Sequence, residues 1–212
     1  LKPQLSGHQA AGTLDKLAAS VTALEGLFNA ILDVSKLDAG AVQPQWQAIA
    51  IREFLHNLVI SLQMDAAHQG LDLRVRACDV YVYGDPQLLE RILRNLISNA
   101  LRYTQRGGVL VSTRGQGNKL LIQVHDTGEG ISPADLPRIF DEFYQAHNPA
   151  RDRSQGLGLG LSIVRRLAKL LDYPLSVRSV PGKGTVFRLT VPLCEKPAIP
   201  AAPHQQRPAY AS

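Results

Sequence analysis

The stretch Glu90-Arg-Ile-Leu-Arg-Asn-Leu-Ile-Ser-Asn-Ala-Leu-Arg-Tyr-Thr104 constrains this chain more than any other. At about 100° per residue, Leu89, Ile92, Leu93, Leu96, Ile97 and Ala100 fall on one broad face, the pattern of a helix lying on a core. The same rotation puts Arg91, Asn95, Asn99 and Arg102 on the opposite side, at i, i+4, i+8 and i+11. Two carboxamides one turn apart present hard oxygen acceptors along a single line. Mg²⁺ takes such oxygens, keeps several waters, and shares its shell with nucleotide phosphates. A plain solvent face would have the same composition, so the rest of the chain must decide between the two readings.

Four more segments follow in order: Asp126-Thr-Gly-Glu-Gly130, Phe140-Asp-Glu-Phe143, Gly156-Leu-Gly-Leu-Gly160 and Gly182-Lys-Gly-Thr185. Asp126-Thr-Gly-Glu-Gly130 follows a β-rich run and reads as a turn, because glycine tolerates backbone angles that other residues avoid. An ionised carboxylate in such a turn only accepts hydrogen bonds, so it pairs with an exocyclic amine such as that of adenine and repels the carbonyl of guanine. Gly156 to Gly160 runs into the helical stretch Leu161 to Lys169, where free backbone N–H groups and the helix dipole favour phosphate. The spacing is G-x-G-x-G, not the Rossmann G-x-G-x-x-G, and Gly182-Lys-Gly-Thr185 lacks the earlier glycine of a Walker loop.

Taken together and in this order, the five segments resemble the N, G1, F, G2 and G3 boxes of the ATP-binding catalytic domain of sensor histidine kinases. The resemblance implies the Bergerat ATP-binding fold, with ATP and Mg²⁺ as ligands. It implies that Asn99 ligates Mg²⁺ with Asn95 in support, that Arg102 faces the phosphates, and that Tyr103 borders the nucleotide. Asp126 would bind the adenine amine, with Gly128 and Gly130 admitting the base, Ile131 beside them and Thr185 supporting that end. Gly156, Leu157, Gly158, Leu159 and Gly160 would surround the phosphates, and the Gly182-Lys-Gly segment is assigned to the phosphate end as well. The polar stretch between Tyr144 and Gln155 suits a lid over ATP, with Arg151 or Arg153 touching phosphate and with Phe140 and Phe143 packing its hinge.

Upstream, Leu14, Leu17, Val21, Leu24, Phe28, Ile31 and Ser35 follow 3-4-3-4 spacing, a heptad seam that wants a partner helix. Leu27 and Val34 widen the stripe, which an amphipathic helix on the domain's own core would also show. The ending Ser35-Lys-Leu-Asp-Ala-Gly40 resembles the end of the second helix of the histidine-kinase dimerisation hairpin, with Gly40 as the stop. The resemblance thereby implies a homodimer. Beyond Trp46, β-rich runs at Leu71 to Val75, Val80 to Tyr83, Val109 to Thr113 and Leu120 to Val124 alternate with helical stretches near 52–68, 86–103 and 159–171. Gly115-Gln-Gly-Asn118 reads as a hairpin turn, and Leu175 to Val180 with Thr185 to Val191 as a final strand pair. The expected fold is α+β: a two-layer sandwich of helices and a mixed, mostly antiparallel sheet, preceded by a long helix. The expected organisation is a partial dimerisation helix over 1–40, a catalytic domain over 46–193, and a Pro/Ala-rich linker or tail over 194–212.

The chain has 212 residues, 45% of them hydrophobic, enough for one good core. No apolar run approaches the roughly 18 residues of a membrane span, so no direct membrane contact is expected. The net charge of +5 comes from scattered Lys and Arg with few interleaved aromatics, which argues against nucleic acid. Cys78 and Cys194 lie far apart without metal-type spacing, in keeping with a reducing cytoplasm. Six histidines are present, none in the context of a phosphoacceptor. His8 precedes Gln-Ala-Ala-Gly, as in an inter-helix loop, and His125 abuts Asp126, where packing explains it. The chain is therefore expected to begin after the phosphoacceptor helix. Its activity would be transfer of the ATP γ-phosphoryl to a histidine outside it, for relay to a response regulator receiver domain. A hydrolytic ATPase of the wider superfamily, which includes gyrase and Hsp90, is the alternative. Those enzymes place a water-activating glutamate where Asn95 stands, and an amide cannot accept that proton. Glu90 is about 140° around the helix from Asn95 and poorly placed to substitute. A nucleotide-binding or dimerising module without catalysis is the third reading.

Overall fold

The computed structural model describes Val21, Phe28, Ile31, Leu32, residues 34–146 and residues 158–197. Arg151, Arg153, Gly156, Leu157, most of the expected lid, His8 and the tail beyond Pro197 lie outside the described residues, as do Leu14, Leu17, Leu24 and Leu27 of the seam. A first helix, α1, includes Val21, Phe28, Ile31, Leu32 and 34–38, and ends at Gly40, whose φ of 66° suits the glycine stop.

Ten elements follow: β1 (Gln47–Ala50), α2 (Ile51–His68), β2 (Asp72–Arg76), β3 (Tyr81–Gly84), α3 (Pro86–Arg102), β4 (Gly108–Gln116), β5 (Lys119–Asp126), α4 (Gly160–Leu170), β6 (Leu175–Val180) and β7 (Gly184–Cys194). The seven strands form one sheet in the order β1-β3-β7-β5-β4-β2, with β6 also paired to β7. All pairings are antiparallel except β2 with β4. A parallel pair needs a long crossover. Here that connection contains α3, which the crossover lays across β4 and β5. The fold is the expected α+β sandwich. The strand β1 is not anticipated by the sequence patterns, because four residues between Trp46 and a helix carry too little alternation. The β4–β5 hairpin turns at Gly117-Asn118, since pairing continues to Gln116 opposite Lys119.

The alternation in β5 buries Leu120, Ile122 and Val124 against the helices. On α2 the buried residues are Ile51, Leu55, Leu58, Val59, Leu62 and Ala66, a helical stripe. On α3 they are Leu89, Ile92, Leu93, Leu96, Ile97, Ala100 and Leu101. Each large aliphatic side chain taken from water is worth about 1.5–3 kcal/mol, so the α3 face is a major part of the core.

Asp85 starts α3. It is 6% exposed, and its Oδ1 accepts from the N–H groups of Gln87 (2.9 Å) and Leu88 (3.0 Å), while Oδ2 accepts from Gln45 N–H (2.7 Å). Pro86 opens the helix where its missing N–H costs nothing. Replacing Asp85 by Ala removes the cap and orphans three donors. The expected loss is about 2 kcal/mol, the upper end for an N-cap, read as a lower urea midpoint at unchanged slope; Asp85→Asn should recover most of it.

Candidate nucleotide site

The cleft is built where α3 ends. Thr104 is buried and its hydroxyl donates to Ala100 O (2.7 Å), closing the helix. The Tyr103 carbonyl then accepts from Glu129 N–H (3.2 Å), which ties the Asp126–Gly130 turn to the helix terminus. Gly128 sits so close that a Cβ there would run into the Tyr103 carbonyl oxygen. On its other side the turn is pinned to the β6–β7 hairpin. Gly182 N–H donates to Glu129 O (2.7 Å), Ile131 N–H donates to Ser179 Oγ (2.7 Å), and Ser179 Oγ lies 2.9 Å from Thr185 Oγ1.

Asp126 stands at the centre of this arrangement, at the end of β5. Its Oδ1 accepts from Gly128 N–H (2.9 Å) and Thr185 N–H (3.0 Å). Its Oδ2 accepts no hydrogen bond among the described residues and is left for a ligand donor. Burial pushes this carboxyl above the usual aspartate range, outweighing the opposite pull of the Gly128 and Thr185 N–H groups.

The cleft is lined by Asn99, Tyr103, Asp126, Gly130, Ile131 and Thr185 of the expected set. It is also lined by Ala100, Glu129, Ile139, Tyr144, Gln145, Ala146, Leu161 and Phe187, for which the motifs had assigned no contact. Ile139, Ile131, Leu161 and Phe187 make its walls apolar, as a flat base requires. Phe187 could have been found from the alternation of β7, which turns it to the same side as Thr185. Tyr144 is set by two partners: its hydroxyl donates to Asp135 Oδ1 (2.5 Å) and the Arg138 guanidinium lies 4.3 Å from its ring centroid.

Asn95 does not line the cleft with Asn99 but stands one turn back, against the start of α4. Its Nδ2 donates to Arg91 O (2.8 Å), and a Cβ on Gly160 would lie 2.9 Å from its Oδ1. The carboxamide oxygen therefore points at the first residue of α4. The residue before that helix, Leu159, provides no side-chain cap, and among the described residues no side chain caps the first-turn N–H groups, a helix start that suits an anion. A phosphate chain entering from Asn99 would meet both.

Several expected residues do not line the cleft among the described residues. Leu159 is 3% exposed and packs in the core, because its place before α4 turns it inward. Gly158, at φ 69°, is tied through its carbonyl to Phe143 N–H (3.0 Å) and shapes the loop. Arg102 is exposed in the last turn of α3 and does not line the cleft. The Gly182-Lys-Gly-Thr185 segment sits at Asp126 and not at the start of α4, because β7 pairs with β5 there. Phe140 packs edge-on against Phe187 at 6.5 Å, whereas Phe143 is 60% exposed among the described residues. His125 is a half-exposed ladder residue opposite Val186, and burial first, then the nearby Arg188 charge, lowers its pKa.

Residues 84–195 match the protein family described as histidine kinase-, DNA gyrase B-, and HSP90-like ATPase. The chain is 32% identical over 166 residues to the sensor histidine kinase RcsC of Escherichia coli, covering 77% of this chain and 18% of RcsC. It is 37% identical over 180 residues to the histidine protein kinase DivJ of Caulobacter vibrioides, covering 84% of this chain and 30% of DivJ. The chain thus spans under a third of either relative's length. Among solved structures, full-length ShkA in complex with AMPPNP superimposes with a TM-score of 0.78 at 27% identity, over 89% of this chain and 40% of that one. The Acinetobacter baumannii histidine kinase AdeS gives 0.71 at 19% identity over 85% and 83% of the two chains, a likeness of fold alone. With these matches lying across the cleft that Asp126, Asn99 and α4 enclose, the chain belongs to the histidine kinase-, DNA gyrase B- and HSP90-like ATPase family, as an ATP-binding catalytic domain of the sensor histidine kinase kind.

Proposed function

We propose that the cleft binds Mg-ATP and presents its γ-phosphoryl group to a histidine nitrogen on a helix outside this chain, for relay to a receiver-domain aspartate. The observation that carries this reading is the meeting of the Asn95 and Asn99 carboxamides with the uncapped start of α4, in a cleft whose other end offers the Asp126 carboxylate. Asp126 Oδ2 accepts the adenine amine, and Ile131, Ile139, Leu161 and Phe187 enclose the base. The Asn99 and Asn95 oxygens suit a hard cation shared with the phosphates, which would spread the charge that develops on the transferred group. The first-turn N–H groups of α4 hold phosphate oxygens in place. No general base is needed in this chain, because neutral imidazole is already a nucleophile.

Hydrolysis is disfavoured by the same geometry. Asn95 cannot take a proton from water, and Glu90 is bound to Arg94 one turn along α3 (2.7 Å). Dimerisation through α1 is supported by its exposed seam: Val21, Phe28 and Ile31 are 48%, 62% and 44% exposed, an apolar row without cover among the described residues. Work on ATP would place this domain in the cytoplasm.

In calorimetry, Asp126→Asn should weaken ATP about 10- to 100-fold and erase its preference over GTP, the equivalent of roughly 1.5–3 kcal/mol for a hydrogen bond to a charged acceptor. Because the amine needs the ionised carboxylate, ATP affinity should be full at neutral pH. It should fade on acidification above the pH at which an ordinary aspartate titrates, and the Asp126→Asn variant should show no such step; a flat profile in both proteins would remove Asp126 from the site. Asn99→Ala should cut phosphoryl transfer to a separately supplied histidine-bearing hairpin by about 100-fold while nucleoside binding persists. Steady release of inorganic phosphate without transfer would favour the hydrolytic reading instead.

A further inference from the structure

Ser179 pairs with Thr185 across the β6–β7 hairpin and is not among the residues that line the cleft. Its hydroxyl accepts from Ile131 N–H (2.7 Å), donates to Gly184 O (3.0 Å) and lies 2.9 Å from Thr185 Oγ1. A serine hydroxyl has one proton and two lone pairs, so three bonds saturate it. The Gly184 carbonyl can only accept and the Ile131 N–H can only donate, which fixes two of the three directions. The third bond then runs from the Thr185 hydroxyl to Ser179 Oγ. The reverse direction would withdraw the proton from Gly184 O. Two oxygens 3.0 Å apart would be left with no hydrogen between them, one bond fewer in a part-buried place.

This direction sets what Thr185 can do. Thr185 is 5% exposed, lines the cleft, and donates its backbone N–H to Asp126 Oδ1 (3.0 Å). With its hydroxyl proton turned to Ser179, the side chain has only lone pairs left for a ligand. The ionised Asp126 carboxylate beside it is also an acceptor only. A free hydroxyl rotates to suit an amine or a carbonyl alike. The contact with Ser179 removes that choice, and the two acceptors act in the same sense.

We propose that Ser179 is a positioning residue for base specificity: by taking the Thr185 hydroxyl proton, it makes this end of the cleft accept an amine and refuse a carbonyl. The inference rests on the reading of the cleft as an ATP site and extends it to a residue that lies behind the wall.

The test is calorimetric titration of the full chain with ATP and with inosine triphosphate, which carries a carbonyl where adenine has its amine. Ser179→Ala frees the Thr185 proton to turn toward the base. The preference for ATP over inosine triphosphate should fall about tenfold. Mere loosening from the lost Ile131 bond would weaken both nucleotides by one factor and leave their ratio alone. In a Thr185→Val background, adding Ser179→Ala should move the ratio by less than about twofold, because no hydroxyl is left to turn. Should the alanine variant not fold, Ser179→Cys keeps a side chain in place with only a weakly hydrogen-bonding sulfur, and it should shift the ratio the same way. An unmoved ratio in a variant that still binds ATP would overturn the inference and leave the ATP site standing. A shift of full size in the Thr185→Val background would do the same, since Ser179 would not be acting through Thr185. A native chain that binds neither nucleotide would overturn both the inference and the reading beneath it.

Discussion

The amphipathic burial of α3 is the constraint on which the rest of this protein depends. Its inward side chains, from Leu89 to Leu101, lie against β4 and β5 and complete the core. The same helical rotation then leaves Asn95 and Asn99 on the other side, where nothing in the core competes for them. The site is thus rigid because its back is the core, and a few tenths of an ångström of movement in α3 would be felt at both faces. The Asp85 cap and Pro86 set where the helix begins, and Thr104 sets where it stops. The carboxamides therefore stand at a fixed height above the sheet.

What α3 supplies at one end, Asp126 organises at the other. A single carboxylate oxygen gathers the N–H groups of Gly128 and Thr185, and so joins the glycine turn after β5 to the start of β7. Burial makes this carboxylate costly to ionise, and the two backbone donors offset part of that cost. A ligand amine at the second oxygen would offset more. A base whose amine met the second oxygen would complete this set of donors, and a base with a carbonyl at the same place would be repelled.

Coupling between the N-terminal helix and the catalytic layer runs through Arg166 on α4. Its guanidinium binds Asp38 at the end of α1 (2.8 and 3.2 Å) and also the Glu142 carboxylate of the Phe140-Asp-Glu-Phe143 segment. The hydrogen bonds from Arg166 hold the Asp38 carboxyl below the usual range. The Asp38 and Glu142 carboxylates are solvent-exposed, so the pair is worth little in stability. Its consequence is positional: one cation ties the end of α1 to α4, whose first residue lies beside the Asn95 carboxamide.

Secondary structure and the identity of the site were legible in the sequence to the extent that they rest on local chemistry. Helical periodicity marked α2, α3 and α4, and short β-rich runs between turn residues marked six of the seven strands. The order of five short motifs pointed to the nucleotide because each needs its residue type for a reason that survives without coordinates. An acceptor-only carboxylate reads an amine, carboxamide oxygens suit a hard cation, and glycines free N–H groups at a helix start. Tertiary structure alone decided which of those residues share a wall. It put Gly182-Lys-Gly-Thr185 beside Asp126, turned the Leu159 side chain into the core, and brought Ile139, Leu161 and Phe187 to the cleft. Pairing across a sheet and the packing of separate helices are contacts between residues distant in the chain, and no pattern of neighbours along the sequence encodes them.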